Sequence, residues 1–191
     1  MIRIDVVTPP AQEPIDLAEA KLHLRVINSD EDTLIESMIA AAREYVERIV
    51  GYALVTQGLR ATLDGFPCVI ELRGVGLTVT AVKYTGADGA EQTLAPSSYT
   101  VDTSGGGARI TPAYGMQWPA TRTGERASVR IEFTSGYAPN AVPKSLSAAI
   151  KLIVGDLFAN REAVVTAQGV MVSIENPTVD ALIFPHRIIL P

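Results

Sequence analysis

The chain has little of what catalytic and metal sites are built from. Its 191 residues contain two histidines, one cysteine and one tryptophan. His23 and His186 stand at opposite ends of the sequence, and no HxxxH, CxxC or HExxH spacing occurs. A metal centre or a His-activated nucleophile would therefore need distant residues to converge. Cys68 has no partner for an internal disulfide, which suits a reducing compartment. Positive charge is short as well: 16 Lys and Arg against 21 Asp and Glu give a net charge of −5 and a pI near 5.1. That balance excludes a general nucleic-acid binder with a dominant basic face and leaves room only for a local patch. Long apolar runs are missing too. Met1-Ile-Arg-Ile-Asp5 puts an acid where a signal peptide has its apolar core. Residues 163–174, the longest uncharged run near the C-terminus, fall far short of the roughly 20 residues a spanning helix needs. The chain is expected to be soluble and intracellular at synthesis, with no membrane partner.

Hydrophobic residues make up 47% of the sequence, enough for a sizeable core, so wholesale disorder is not expected. The layout is a helical front, an all-β middle and a helical back. Residues 30–50 carry apolar side chains at 34, 35, 38, 39, 42, 45, 46 and 49, and residues 143–161 at 146, 149, 150, 153, 154, 157 and 158, both at helical period. Asp16-Leu-Ala-Glu19 has capping-box form and predicts a short helix over 17–26. Ser29-Asp-Glu-Asp32 opens the next helix in the same style, with its acids at the positive end of the dipole. Gly51 ends that helix, and Pro143 stands at the first turn of the last one. Residues 1–13 read as an extended arm.

From Leu54 the apolar period becomes two. Strands are expected over 54–63, 68–72, 77–84, 92–94, 98–102, 109–111 and 128–134, with turns at Asp64-Gly65, Asp88-Gly89 and Gly105-Gly106-Gly107. Tyr114-Gly-Met-Gln-Trp118-Pro119 reads as an ordered loop pinned by its aromatic residues. The fold class is α+β, a small helical bundle with an inserted antiparallel β module and an extended C-terminal arm. Its boundaries are 1–53 for the N-terminal helical part, 54–136 for the module, 137–162 for the C-terminal bundle helix and 163–191 for a docking arm. The bundle core is expected to contain Leu34, Met38, Tyr45, Ile49, Leu146, Ile150, Val154 and Leu157.

Candidate chemistry reduces to ordinary structure. Ser104-Gly-Gly-Gly107 leads into a strand rather than a helix, so it is a hairpin turn and not a phosphate loop. Asp30, Glu31, Asp32 and Glu36 match no EF-hand spacing. Arg43, Glu44, Glu47 and Arg48 mix both signs along one helix, the pattern of a solvated or intersubunit face. Arg60, Arg73, Arg109, Arg122, Arg126 and Arg130 are offset by the acids of the same region, which favours solubility over DNA contact.

Pro14-Ile-Asp-Leu-Ala-Glu-Ala-Lys-Leu-His-Leu-Arg-Val26, Asp30-Glu-Asp-Thr-Leu-Ile35 and Ile39-Ala-Ala-Ala-Arg-Glu-Tyr-Val-Glu47 resemble the opening of phage head–tail connector (adaptor) proteins. The branch is the one with a β insertion, found in tailed phages, prophages and gene transfer agents. Trp118-Pro119, Ile131-Glu-Phe-Thr-Ser-Gly-Tyr137, Val142-Pro143, Leu157-Phe-Ala-Asn-Arg-Glu162 and Val179-Asp-Ala-Leu-Ile-Phe-Pro-His-Arg187 extend the resemblance in order over nearly the whole chain. Phe184-Pro-His departs from the Leu-Pro-Tyr-like step expected there. The resemblance implies a ring of this chain, a dodecamer in the virion, bound beneath the portal protein of a filled capsid. It also implies contact with a head-closure or tail protein, passing contact with DNA in a channel, and neither catalysis nor cofactor. Portal docking is expected from the apolar tail: Val170, Met171, Val172, Ile174, Leu182, Ile183, Phe184, Arg187, Ile188, Ile189 and Leu190. Two alternatives are a head-closure or tail-completion protein of the same assembly, and a small metal-dependent hydrolase with a buried carboxylate cluster.

Overall fold

The computed structural model describes residues 2–138, 140–160 and 176–188. The chain forms two compact units, one from residues 1–11 and 52–138, the other from 12–51 and 139–191.

The first unit is a pair of antiparallel sheets. Strands β1 (Arg3–Thr8), β2 (Gln57–Leu63), β8 (Val129–Ser135), β4 (Thr78–Thr85) and β5 (Glu91–Thr93) form one, in the order β1-β2-β8-β4-β5. Strands β3 (Ile70–Arg73), β7 (Gly107–Pro112) and β6 (Tyr99–Asp102) form the other, in the order β3-β7-β6. Strict alternation explains the core. In β2 and β8 every second residue is buried, so Leu59, Ala61 and Leu63 lie beside Phe133, Ile131 and Val129 on one face. Ile70, Leu72, Ala108 and Ile110 of the smaller sheet complete the same apolar cluster. The extended arm expected at residues 1–13 is in part a strand: β1 pairs with β2, Ile4 opposite Ala61 and Val6 opposite Leu59. The β unit therefore draws on the N-terminus as well as on residues 54–136.

The unit is closed where the chain enters and leaves it. Val55 and Tyr137 form a parallel bridge, with the Thr56 N–H donating to the Tyr137 carbonyl (3.1 Å) and the Tyr137 N–H to the Leu54 carbonyl (2.9 Å). Gly136, at φ 128°, lies so close to this crossing that a Cβ would fall 2.2 Å from the Val55 carbonyl carbon. Tyr52 stacks edge-on against Tyr137 (6.4 Å between centroids), and burial, then the hydrogen bond with Tyr137, push its phenol pKa well up.

The second unit contains α1 (Leu17–Leu24), α2 (Asp32–Val50), α3 (Lys144–Ala159) and α4 (Pro177–Ile183). Asp16 caps α1 as expected, accepting from the Glu19 N–H at 2.6 Å. Gly51, at φ 85°, ends α2 with its N–H on the Glu47 carbonyl. The start of α2 differs from expectation. Glu31 occupies the N-cap without a side-chain cap bond, and the Asp32 carboxylate instead receives Lys21 from α1.

The bundle core corrects the sequence-based list. Leu146, Ile150 and Val154 are fully buried, but Leu34, Tyr45 and Leu157 are exposed, while Met38 and Ile49 are half-buried. On α2 the inward residues are Ile35, Ile39, Ala42, Val46 and Val50, one step round from the expected set. The apolar stripe is wider than the groove it fills, so periodicity alone does not say which edge faces in. Packing against α1, α3 and α4 decides it, and Arg43 lies at the far edge of the buried face. That side chain is buried on the far edge of the stripe, held at 2.8 Å by both Glu13 and Glu47. The sequence pattern suggested a solvated or intersubunit face for Arg43 and Glu47, but within the chain they form a largely buried pair. Desolvation, the largest influence on Arg43, pulls its pKa down, and its hydrogen bonds and charges with Glu13 and Glu47 outweigh it, leaving the pKa raised.

Ile150→Ala and Ile35→Ala should each cost roughly 2–5 kcal/mol in denaturant unfolding, through lost burial and a residual cavity, whereas Leu34→Ala should cost clearly less. Gly136→Ala should lose more than about 1 kcal/mol, because it combines a left-handed φ with a backbone clash. An unchanged midpoint for Gly136→Ala would show that the crossing is not tight.

Candidate functional site

Among the described residues no catalytic constellation comes together. Among the described residues no group of three or more His, Cys, Asp or Glu side chains is placed to hold a metal ion. Cys68 is exposed. His186 Nε2 lies 2.7 Å from Ser145 Oγ, and His23 packs beside Gly155 of α3. The Ser104–Gly107 segment is the turn joining β6 to β7. There the Asp102 carboxylate accepts from the Ser104 N–H at 3.0 Å, which holds its pKa below the usual range.

Four of the six arginines named from the sequence, Arg60, Arg109, Arg122 and Arg130, meet acids of the same unit. Arg60 and Lys83 converge on Glu132 (3.2 and 3.0 Å), Arg130 meets Glu91 (2.7 Å), Arg109 meets Glu71 (3.4 Å) and Arg122 meets Glu125 (3.7 Å). The hydrogen bond from Lys83, followed by the nearby charges, lowers the Glu132 pKa. A depressed carboxylate pKa means that this stabilisation is present above the ordinary carboxylate range and is lost as pH falls through the folded value. The face is a mixed-sign ladder rather than a phosphate-binding strip.

What remains as a candidate site is surface, and the C-terminal segment is its best-defined part. Asn176 caps α4 by accepting from the Thr178 N–H (3.2 Å), and its amide donates to Asp156 of α3 (3.3 Å). Pro177 takes the first helical position, where no N–H is needed. Val179 and Ile183 are buried in the helical unit, Ile183 completely. The Ile188 N–H donates to the Val50 carbonyl at 3.1 Å, and Arg187 lies 3.9 Å from Asp180.

The residues expected to dock the portal thus divide. Ile183 is a core residue of its own unit, because α4 turns it onto α3. Leu182 and Ile188 are half-buried, and Phe184 and Arg187 are exposed, Phe184 at 62%. Val170, Met171, Val172, Ile174, Ile189 and Leu190 lie outside the described residues. Other exposed apolar side chains were not foreseen: Leu22 at 81%, Ile27 at 99%, Tyr45 at 47%, and Tyr114 at the tip of a loop whose Trp118 stacks on Phe66 at 4.7 Å. The signal was available for Leu22 and Ile27, because a short helix cannot bury every apolar residue around it.

The described residues thus form two folded units with cross-strand charge pairs and projecting apolar side chains. Residues 14–93 match the family model of the phage gp6-like head–tail connector proteins, in agreement with the resemblance. Solved structures agree over the full length. A chain in the neck of an empty GTA particle computed with C6 symmetry is 26% identical, with TM-score 0.78, covering 99% of this chain and 97% of that one. A chain in the virion of a native gene transfer agent particle is 26% identical, with TM-score 0.74, at 98% and 96% coverage. A chain in the neck of the native particle computed with C12 symmetry is 25% identical, with TM-score 0.74, at 99% and 97%. No curated protein matches the sequence.

Ile183→Ala should destabilise the chain by roughly 2–5 kcal/mol, and Phe184→Ala should stay within about 0.5 kcal/mol of the parent. Equal melting of both variants would contradict the packing of α4.

Proposed function

We propose that the chain is a virion structural adaptor. Copies form a ring, dodecameric in the particle, that joins the portal of the filled capsid to the tail and surrounds the DNA channel. The observation that supports this best is end-to-end fold agreement with neck chains of gene transfer agent particles, over 99% of this chain and 97% of theirs. A chain sharing only a common core with those proteins would leave long unmatched segments on one side.

The physical character of the chain suits the task. Its surface is acidic overall, and the arginines of the β unit are largely engaged with acids. A channel wall that gripped phosphates would slow DNA, because phosphate contacts dominate nucleic-acid affinity. The work is mechanical joining, without catalysis or cofactor. The portal contact is assigned to the exposed part of the C-terminal segment, Phe184 and Arg187, with Leu182 and Ile188 at its edge, together with the apolar residues of 170–174 and 189–190. Phe184 offers a large apolar anchor beside a planar cation, the residue types that carry most binding energy at interfaces.

The test is the double variant Phe184→Asp, Arg187→Glu in a particle-producing cell. The protein should fold and melt as the parent does. Its affinity for purified portal should fall by roughly tenfold or more, the scale of a lost hot spot, and filled heads without tails should accumulate. Tailed particles at the parental yield would refute the portal assignment.

A further inference from the structure

The helical unit exposes apolar surface in two places that sequence periodicity had assigned to its core or left unassigned. The first is on α2. Leu34, Met38, Tyr45 and Ile49 recur at four-, seven- and four-residue steps, which keeps them on one line of the helix. That line is about 22 Å long at 1.5 Å per residue. It runs beside the buried line of Ile35, Ile39, Ala42, Val46 and Val50, yet Leu34 and Tyr45 remain 38% and 47% exposed. The second place is the corner after α1. Leu22 and Ile27 project into solvent on either side of Arg25, whose left-handed backbone (φ 59°) ends the helix.

We infer that these are the two halves of one contact, in which the α2 line receives the Leu22/Ile27 corner of a second copy of this chain. Three features favour a second copy over an unrelated partner. The patches differ in shape, one an extended line and the other two projecting side chains, so they suit a head-to-tail contact, the type that closes into rings. The neck assemblies that hold similar chains were computed with C6 and C12 symmetry, and such symmetry repeats one contact between copies around an axis. Both patches also belong to a single folded unit, so each subunit presents the two halves on one body. The inference rests on the ring proposed above and supplies its subunit contact. It also gives Leu34 and Tyr45 a reason to be apolar, which burial within the chain does not.

The test uses the full-length chain and exploits the asymmetry. Ile27→Asp spoils only the corner and Tyr45→Asp only the line, and neither residue is needed for the core. Mass measured by light scattering, with and without purified portal, should show rings for the parent and monomers for either variant alone. An equimolar mixture should give heterodimers and nothing larger, because one intact contact remains per pair and the chain of contacts then stops. Ile27→Lys with Leu34→Lys is a second pair with the same expectation. Variants that assemble as the parent does, or a mixture that stays monomeric while the parent forms rings, would overturn the assigned surface and leave the ring reading standing. A parent that forms no ring even on the portal would overturn both.

Discussion

The crossing of Leu54–Thr56 with Gly136–Tyr137 is the constraint on which the rest of the fold depends. There the two ends of the 52–138 segment meet, held by hydrogen bonds between residues some eighty positions apart. A closed crossing lets roughly eighty residues of sheet be inserted while residues 12–51 and 139–191 still form a unit of their own. It also explains the glycine at 136. The backbones approach too closely for a Cβ, and the required φ is one that other residues rarely adopt.

Within each unit, charge is handled by pairing rather than by display. Arg43 is buried with Glu13 and Glu47 at 2.8 Å and Glu44 at 3.7 Å, and a charge withdrawn from water is tolerated only where it is paired in this way. On the β unit the polar sheet face is a cross-strand ladder around Glu132. Apolar side chains also stand in solvent, at the α1 corner, along α2, on β1, around Tyr114 and at Phe184. That distribution suits a protein whose chemistry is contact, and it agrees with the connector family to which residues 14–93 match.

Much of the fold could be read from the sequence because local signals were strong. The switch from helical to alternating period at Leu54 located the β unit, and Asp16 and Gly51 marked helix ends through cap chemistry that needs no tertiary context. What was not legible depended on partners distant in the chain. Arg3–Thr8 was read as part of an arm over 1–13 because a strand pattern does not name its neighbour, and β2 lies some fifty residues away. The broad apolar stripe of α2 could not reveal which edge faces inward, since that depends on where α1, α3 and α4 pack against it. The tail read as uniformly apolar, yet α4 divides it into buried Ile183 and exposed Phe184, neighbours in sequence with opposite environments. The interaction surface was the least legible part, because a residue exposed for a partner and one buried in a core carry the same hydrophobic signal.

The central claim is tested most directly by electron cryomicroscopy of the neck of particles assembled with this chain. The account predicts twelve copies in one ring between portal and tail, with Phe184 and Arg187 against the portal. A neck in which the chain is absent from that ring, or sits only below it against the tail, would contradict the adaptor assignment.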